Sequence, residues 1–117
     1  MSYVSIENRS RDSVVVASAV LANTFWSRMR GLLGRPCPAA GEGLLLEPCN
    51  QVHMIGMGYP IDVAFISLDG KVLRVVRNLK PWRMTAPCLG ARYALETGAG
   101  GLAELAEGDV VAFESLG

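Results

Sequence analysis

Residues 61–79 read IDVAFISLDGKVLRVVRNL, and this stretch decides the fold class. Two apolar runs, 61–68 and 71–79, flank the dipeptide Asp69-Gly70. A two-residue Asp-Gly loop favours a type I′ turn, because the twist of that turn matches the twist of two paired strands. The stretch therefore predicts an antiparallel β-hairpin.

Other apolar runs predict further strands on both sides of this hairpin. Residues 3–7 and 13–20 form a first hairpin or two successive strands, and three later runs follow at 43–47, 91–96 and 109–114. The strands do not alternate regularly with helices, as they would in a parallel α/β fold. We predict an α+β domain that is mainly antiparallel, with a small barrel-like sheet and two short helices.

The two helices are predicted from apolar spacing and from end signals. Asn23 or Thr24 offers an N-cap for the first, and Gly34 offers a C-terminal stop. Apolar side chains recur on one face of this helix: Phe25, Met29, Leu32 and Leu33. The second predicted helix covers 101–107.

Length and charge limit the class of protein. A chain of 117 residues forms one domain, spanning 1–117, around a single core. Basic and acidic residues balance at 11 each, so the whole chain has no long-range attraction for nucleic acid or anionic lipid. The basic residues are concentrated between 71 and 92, so a local basic face remains an alternative.

The N-terminus and the cysteines suggest a compartment. The first residues show neither a basic region nor a long apolar run, so we expect no export signal and no membrane partner. Three cysteines, Cys37, Cys49 and Cys88, are an odd number without a C-x-x-C pair, which suits reduced thiols. We therefore expect a cytoplasmic protein.

The segment 47–62 concentrates the residues that carry chemistry. It holds the only histidine of the chain, one of three cysteines and two of five methionines. We predict a pocket lined by Cys49, His53, Met57 and Asp62, with Arg28 or Arg83 at its rim. For Asp62 we favour a structural role, in which the carboxylate accepts N–H bonds from the turn at 58–60. For Arg28 and Arg83 we favour ion pairs with C-terminal acids such as Glu96.

Several short motifs, in this order and spacing, resemble the family known as domain of unknown function 192. They are RxxGLLGR at 28–35, GLLL at 43–46, CNxVHM at 49–54, PIDVxF at 60–65, LExG at 95–98 and GDxV at 108–111. The resemblance extends over roughly 13–114. It implies a compact β-rich fold and no established activity.

Three functions remain as alternatives to the binding of a small ligand or a protein partner. Cys49, His53 and Met57 offer donors for copper or zinc, but alternate strand residues lie about 6.6 Å apart, too far for one ion. Cys49 as nucleophile with His53 as base would make the protein an enzyme, but the flanking residues do not match those of a known cysteine enzyme. Nucleic acid binding through the basic segment 71–92 and Trp82 is disfavoured by the near-neutral pI.

The sequence does not decide the catalytic activity, the cofactor or the oligomeric state. We lean towards a protein without catalytic activity, because no catalytic motif of adequate specificity is present. The cofactor is unknown, and the oligomeric state is open between monomer and dimer.

Overall fold

The computed structural model describes residues 2–117 and is mostly β. One helix and seven strands follow the order β1 (Tyr3–Asn8), β2 (Ser13–Ala22), α1 (Phe25–Arg30), β3 (Glu42–Leu46), β4 (Ile61–Ser67), β5 (Val72–Leu79), β6 (Ala91–Gly98) and β7 (Val111–Ser115). All the strands belong to one sheet with the order β5-β4-β6-β3-β2-β1-β7. Its strand pairs are antiparallel except for β2 and β3, which run parallel.

The sheet curls into a half-barrel, because its two edges come together at one end. Val72 at the start of β5 donates its N–H to the carbonyl of Asp109 at 2.8 Å. The N–H of Val111 in turn donates to the carbonyl of Gly70 at 2.8 Å. A Cβ atom on Gly70 would lie 2.4 Å from the Val111 carbonyl oxygen, so only glycine fits at this closure.

The predicted β4–β5 hairpin is confirmed, but the predicted type I′ turn is wrong. The N–H of Ser67 donates to the carbonyl of Lys71 at 2.9 Å, and the N–H of Gly70 donates to the carbonyl of Ser67 at 3.0 Å. The loop therefore has three residues, 68–70. Gly70 has a φ of 92°, but Asp69 does not have the positive φ that a type I′ turn also requires. This geometry is typical of a type I turn followed by a glycine bulge.

Helix α1 begins as predicted but is shorter than its apolar pattern. Thr24 is the N-cap, and its hydroxyl accepts from the N–H of Ser27 at 3.1 Å while the Ser27 hydroxyl accepts from the N–H of Thr24 at 3.0 Å. The helix ends at Gly31, whose φ of 52° is not helical, so Leu32 and Leu33 lie beyond it. No residue of α1 is buried. No helix within residues 2–117 is long and apolar enough to cross a bilayer.

The predicted second helix is wrong, since 101–107 forms a series of turns. The N–H of Ala103 donates to the carbonyl of Gly100 and that of Leu105 to the carbonyl of Leu102, so each bond spans three residues rather than four. The segment is short and begins beside two consecutive glycines. Each glycine costs about 1 kcal/mol in a helix, and a short segment gains too few bonds to offset nucleation.

Buried side chains form one core on each face of the sheet, because neighbouring residues of a strand point in opposite directions. Val63 and Phe65 of β4 pack into the first core, whereas Ala64 and Ile66 pack into the second. The first core also contains Val52, Met54 and Met57 from the loop after β3. This packing lays the segment 48–57 over one face of the sheet, next to α1.

Candidate functional site

A cavity of about 220 Å³ lies between α1 and the segment 48–57, and we call it the α1 cavity. Its walls come mainly from α1 and from that segment. Leu33 adds to the wall, and the sheet contributes two further lining residues, Leu46 of β3 and Glu96 of β6. The cavity therefore joins three parts of the chain that are distant in sequence.

The main chain of segment 48–57 is held in place by hydrogen bonds to residues 82–88. The N–H of Val52 donates to the Thr85 hydroxyl at 3.0 Å, and the N–H of Thr85 donates to the Val52 carbonyl at 2.8 Å. The N–H of Met54 donates to the carbonyl of Arg83 at 2.7 Å. His53, between them, pairs with Met84 in an isolated bridge. The cavity wall is thus fixed without belonging to a strand.

Substitution of Thr85 by valine is expected to lower the free energy of unfolding by about 1–3 kcal/mol. The change keeps the shape of the side chain but leaves the buried N–H of Val52 without its acceptor, and an unsatisfied buried donor has about this cost. Urea unfolding followed by circular dichroism measures the change. Thr97→Val is the control, because the carbonyl that the Thr97 hydroxyl contacts also accepts from Gly101. Equal losses in both variants would contradict the assigned role of Thr85.

Four of the six residues predicted for the site line the α1 cavity: Arg28, Cys49, His53 and Met57. Met57 is buried, Cys49 and Arg28 are partly buried, and His53 is exposed. The structure brings these four together because α1 lies against the loop after β3. Asp62 and Arg83 lie outside the lining.

Asp62 is buried, and the main chain occupies its carboxylate. Oδ1 accepts from the N–H of Asn78 at 2.9 Å, and Oδ2 accepts from the N–H groups of Gly100 and Leu102 at 3.0 and 3.2 Å. These bonds tie β4 to the end of β5 and to the turn after β6. The expected bonds to the turn at 58–60 are not the ones that form. We therefore do not carry Asp62 into the candidate site.

The expected ion pairs of Arg28 and Arg83 are wrong. Within residues 2–117 the ion pairs are Arg9–Glu7, Arg11–Asp109 and Arg92–Glu47. Arg83 is exposed and takes part in the site only through its carbonyl, which accepts from Met54. Glu96 lies in the α1 cavity but forms no ion pair with Arg28.

The guanidinium of Arg28 is only partly satisfied. Its Nη1 donates to the carbonyl of Pro48 at 3.3 Å. Its Nε is buried and has no hydrogen-bond partner among the described residues. Such a buried donor lowers stability unless something else accepts from it.

Glu96 is the site residue that the sequence interpretation missed. Its side chain is 5% exposed, and no hydrogen bond or ion pair reaches its carboxyl group from residues 2–117. Burial raises the pKa of Glu96 from 4.5 to about 7, because the charged form loses its hydration. A carboxyl group with such a pKa, at the edge of a cavity, is a typical functional-site signal.

One sequence signal for Glu96 existed. It follows the apolar run Tyr93-Ala94-Leu95 inside a predicted strand, and a carboxyl group there is buried when both faces of the sheet are covered. We did not use this signal, because we expected Glu96 to form an ion pair with an arginine.

Cys49 does not have the properties of an activated nucleophile. Its Sγ donates to the carbonyl of Gln51 at 3.2 Å. Burial raises the pKa of the Cys49 thiol, and the nearby charge of Glu96 raises it further while Arg28 lowers it. The thiol is therefore protonated at neutral pH, when a nucleophile needs the thiolate. No three His, Cys, Asp or Glu side chains of the described chain cluster as metal ligands.

Comparison with known proteins places the chain in a family. The family model of domain of unknown function 192, described as "Uncharacterized ACR", matches residues 6–113. A UPF0127 protein of Thermococcus sibiricus is 32% identical over 97 residues, which is 80% of this chain but 62% of that protein's length.

Two solved structures share the fold at 24% identity. One is a Novosphingobium aromaticivorans protein of unknown function, with a TM-score of 0.75 over 94% of this chain and 83% of that one. The other is a Sinorhizobium meliloti protein named as a candidate transcription regulator, with a TM-score of 0.77 over 96% of this chain and 92% of that one. Because the family model matches nearly all of its length, the chain belongs to the domain-of-unknown-function family 192.

Proposed function

We propose that this protein binds a small, mostly apolar molecule in the α1 cavity and does no chemistry on it. The observation that carries the proposal is Glu96, a buried carboxyl group that lines the cavity without a protein partner. Burying a polar group without a hydrogen bond costs about 1–3 kcal/mol in proteins. Native proteins retain such groups mainly where a ligand, an ion or water satisfies them. The Nε of Arg28, which lines the same cavity, is a buried donor without a hydrogen-bond partner among the described residues.

The walls of the cavity suit an apolar ligand. Met29, Leu33, Ile55 and Met57 line it, and the flexible thioethers of the methionines adapt to different shapes. Its volume of about 220 Å³ corresponds to roughly seven water molecules at about 30 Å³ each. A ligand of roughly seven to ten non-hydrogen atoms fits, which is smaller than the molecules that typical drug-sized pockets bind.

The alternative functions have less support. An enzyme based on Cys49 and His53 needs a thiolate, and the raised pKa of Cys49 opposes it. In the basic segment 71–92, Arg74 and Arg77 donate to main-chain carbonyls and Arg92 pairs with Glu47, so these charges serve the fold. For location we propose the cytoplasm, because the three cysteines are free thiols, which suits a reducing compartment.

A fragment screen by two-dimensional NMR of the ¹⁵N-labelled protein tests ligand binding. We expect several apolar fragments with one polar group to shift the amide signals of α1 and of 48–57, with dissociation constants near about 1 mM, as the small size of such ligands implies. Leu33→Trp should fill the cavity and weaken these fragments at least about tenfold.

Leu116→Trp is the matched control, because Leu116 is 52% exposed and Leu33 is 44% exposed, but only Leu33 lines the cavity. Fragments that bind the Leu33→Trp and Leu116→Trp variants equally well would refute the cavity as the site. A screen in which no fragment shifts the amide signals of α1 or 48–57 would also refute the cavity as the site.

A further inference from the structure

We propose that the ligand of the α1 cavity is a small monocarboxylate with an apolar tail, whose carboxylate lies between the guanidinium of Arg28 and the carboxyl group of Glu96. This inference rests on the proposed function, since it specifies the ligand class of the same cavity.

The fixed charge of the cavity is positive. Arg28 and Arg30 both line it, and neither forms an ion pair within residues 2–117. The Nε of Arg30 donates to the carbonyl of Leu33 at 3.2 Å, whereas the Nε of Arg28 is buried without a hydrogen-bond partner among the described residues. A carboxylate is the acceptor that a guanidinium binds best, through charge-assisted and often paired hydrogen bonds. The same two guanidinium groups repel an ammonium ligand.

The Glu96 carboxyl group supplies the complementary donor when it is protonated. Burial favours the neutral form, and a neutral carboxyl group carries one O–H donor. That O–H can donate to a ligand carboxylate that Arg28 also contacts. Binding then holds the proton on Glu96, because a second carboxylate nearby disfavours its ionisation. Affinity is therefore linked to the protonation of Glu96.

Arg28 and Glu96 both line the α1 cavity. The Oε1 atom of Glu96 lies 3.7 Å from the point where a Cβ on Gly31 would be, directly after the last turn of α1. The carboxyl group thus sits under the same end of the helix that carries Arg28.

Other charged and titratable groups line the cavity with Glu96 or interact with it. They come from α1, from the segment 48–57 and from the loop before β4: Arg28, Arg30, Cys49, His53 and Tyr59. The neighbouring residues on β3 and β4, Leu44 and Val63, carry no charge. The pKa values of Cys49 and Tyr59 are raised, so both stay protonated near pH 7. His53 lines the same cavity, so it requires a control variant.

Three probes with the same six-carbon chain, namely hexanoate, hexylamine and hexanol, test the ligand class. NMR titrations of the full chain give their dissociation constants between about pH 6 and 8.5. We expect hexanoate to bind tightest, and its affinity to fall about 30-fold over this range as Glu96 loses its proton. Hexanol should show no such dependence on pH.

Variants of Glu96 and Arg28 test the contribution of each polar group to binding. Glu96→Gln keeps a donor that cannot titrate, so it should bind hexanoate at pH 8.5 about as well as the natural protein does at pH 6. Arg28→Met should weaken hexanoate at least about tenfold at every pH, with little effect on hexanol. His53→Gln should leave the pH dependence unchanged.

The outcomes distinguish this inference from the function on which it rests. Tighter binding of hexylamine than of hexanoate, an affinity for hexanoate that rises with pH, or loss of hexanoate binding in Glu96→Gln would each overturn the monocarboxylate assignment. If fragments of another class still bind and Leu33→Trp blocks them, the cavity remains a ligand site. If neither the probes nor the fragments bind, both proposals fail.

Discussion

The Asp62→Ala variant should lose about 3–5 kcal/mol of unfolding free energy. The substitution removes the acceptor of three main-chain N–H groups, those of Asn78, Gly100 and Leu102, in a buried part of the sheet. Each buried donor left unsatisfied costs about 1–3 kcal/mol, and water reaches some of them after the change. Because a domain of this size has about 5–15 kcal/mol of stability, the loss is a large share of the total.

Chemical denaturation at neutral pH measures this loss, with Glu104→Ala as the control. Glu104 is exposed and accepts no hydrogen bond within the described part of the chain, so its removal tests the loss of a negative charge alone. Asp62→Asn adds a second comparison, since it keeps the volume and one of the two acceptor oxygens. If Asp62→Ala loses no more unfolding free energy than Glu104→Ala, the Asp62 carboxylate does not hold β4 to the end of β5 and to the turn after β6.

Glu96→Gln should stabilise the protein by about 3 kcal/mol at pH 8 and hardly at all near about pH 4. The pKa of Glu96 rises from 4.5 to about 7 on folding, and a difference of this size corresponds to about 3 kcal/mol. The folded protein keeps a proton that the unfolded chain releases. The natural protein therefore loses stability as pH rises from about 4.5 to 7, and above that range the penalty is constant.

Unfolding curves of the natural protein and of Glu96→Gln at several pH values isolate this effect. Other carboxyl groups titrate in both proteins and cancel from the difference. Glu104→Gln provides the matched control at an exposed glutamate and should give a difference near zero throughout. A difference between the natural protein and Glu96→Gln that does not change with pH would mean that folding leaves the pKa of Glu96 unchanged, in conflict with its burial.

The strands could be predicted from local pattern, but their partners could not. Apolar runs and turn residues identify a strand because the backbone conformation depends on near neighbours. The parallel pairing of β2 with β3 depends on how the whole sheet curls, and no local pattern encodes it. The turn at 68–70 shows the same limit. An Asp-Gly pair fits more than one turn type, and here the three-residue loop forms with its glycine against Val111 on β7.

The candidate site was predicted in part for a similar reason. The histidine, cysteine and methionines of 47–62 predicted one wall of the α1 cavity. Arg28 was predicted because it lies off the apolar face of its helix. The apolar run before Glu96 was a signal for its burial, but that burial depends on the cover that α1 and 48–57 provide, which no local pattern encodes. Asp62 was predicted both to line the site and to hold the turn at 58–60. The groups that donate to its carboxylate, on Asn78, Gly100 and Leu102, are remote in sequence, so these bonds could not be predicted.

Helix α1 forms a wall of the cavity without placing a single residue in the core. Substitutions at exposed positions usually change stability by less than about 0.5 kcal/mol. Phe25 and Met29 can therefore vary during evolution with little risk to folding, while each change alters the shape of the cavity. Under the proposed function, proteins with the same half-barrel can in this way bind different ligands through changes in the first helix alone.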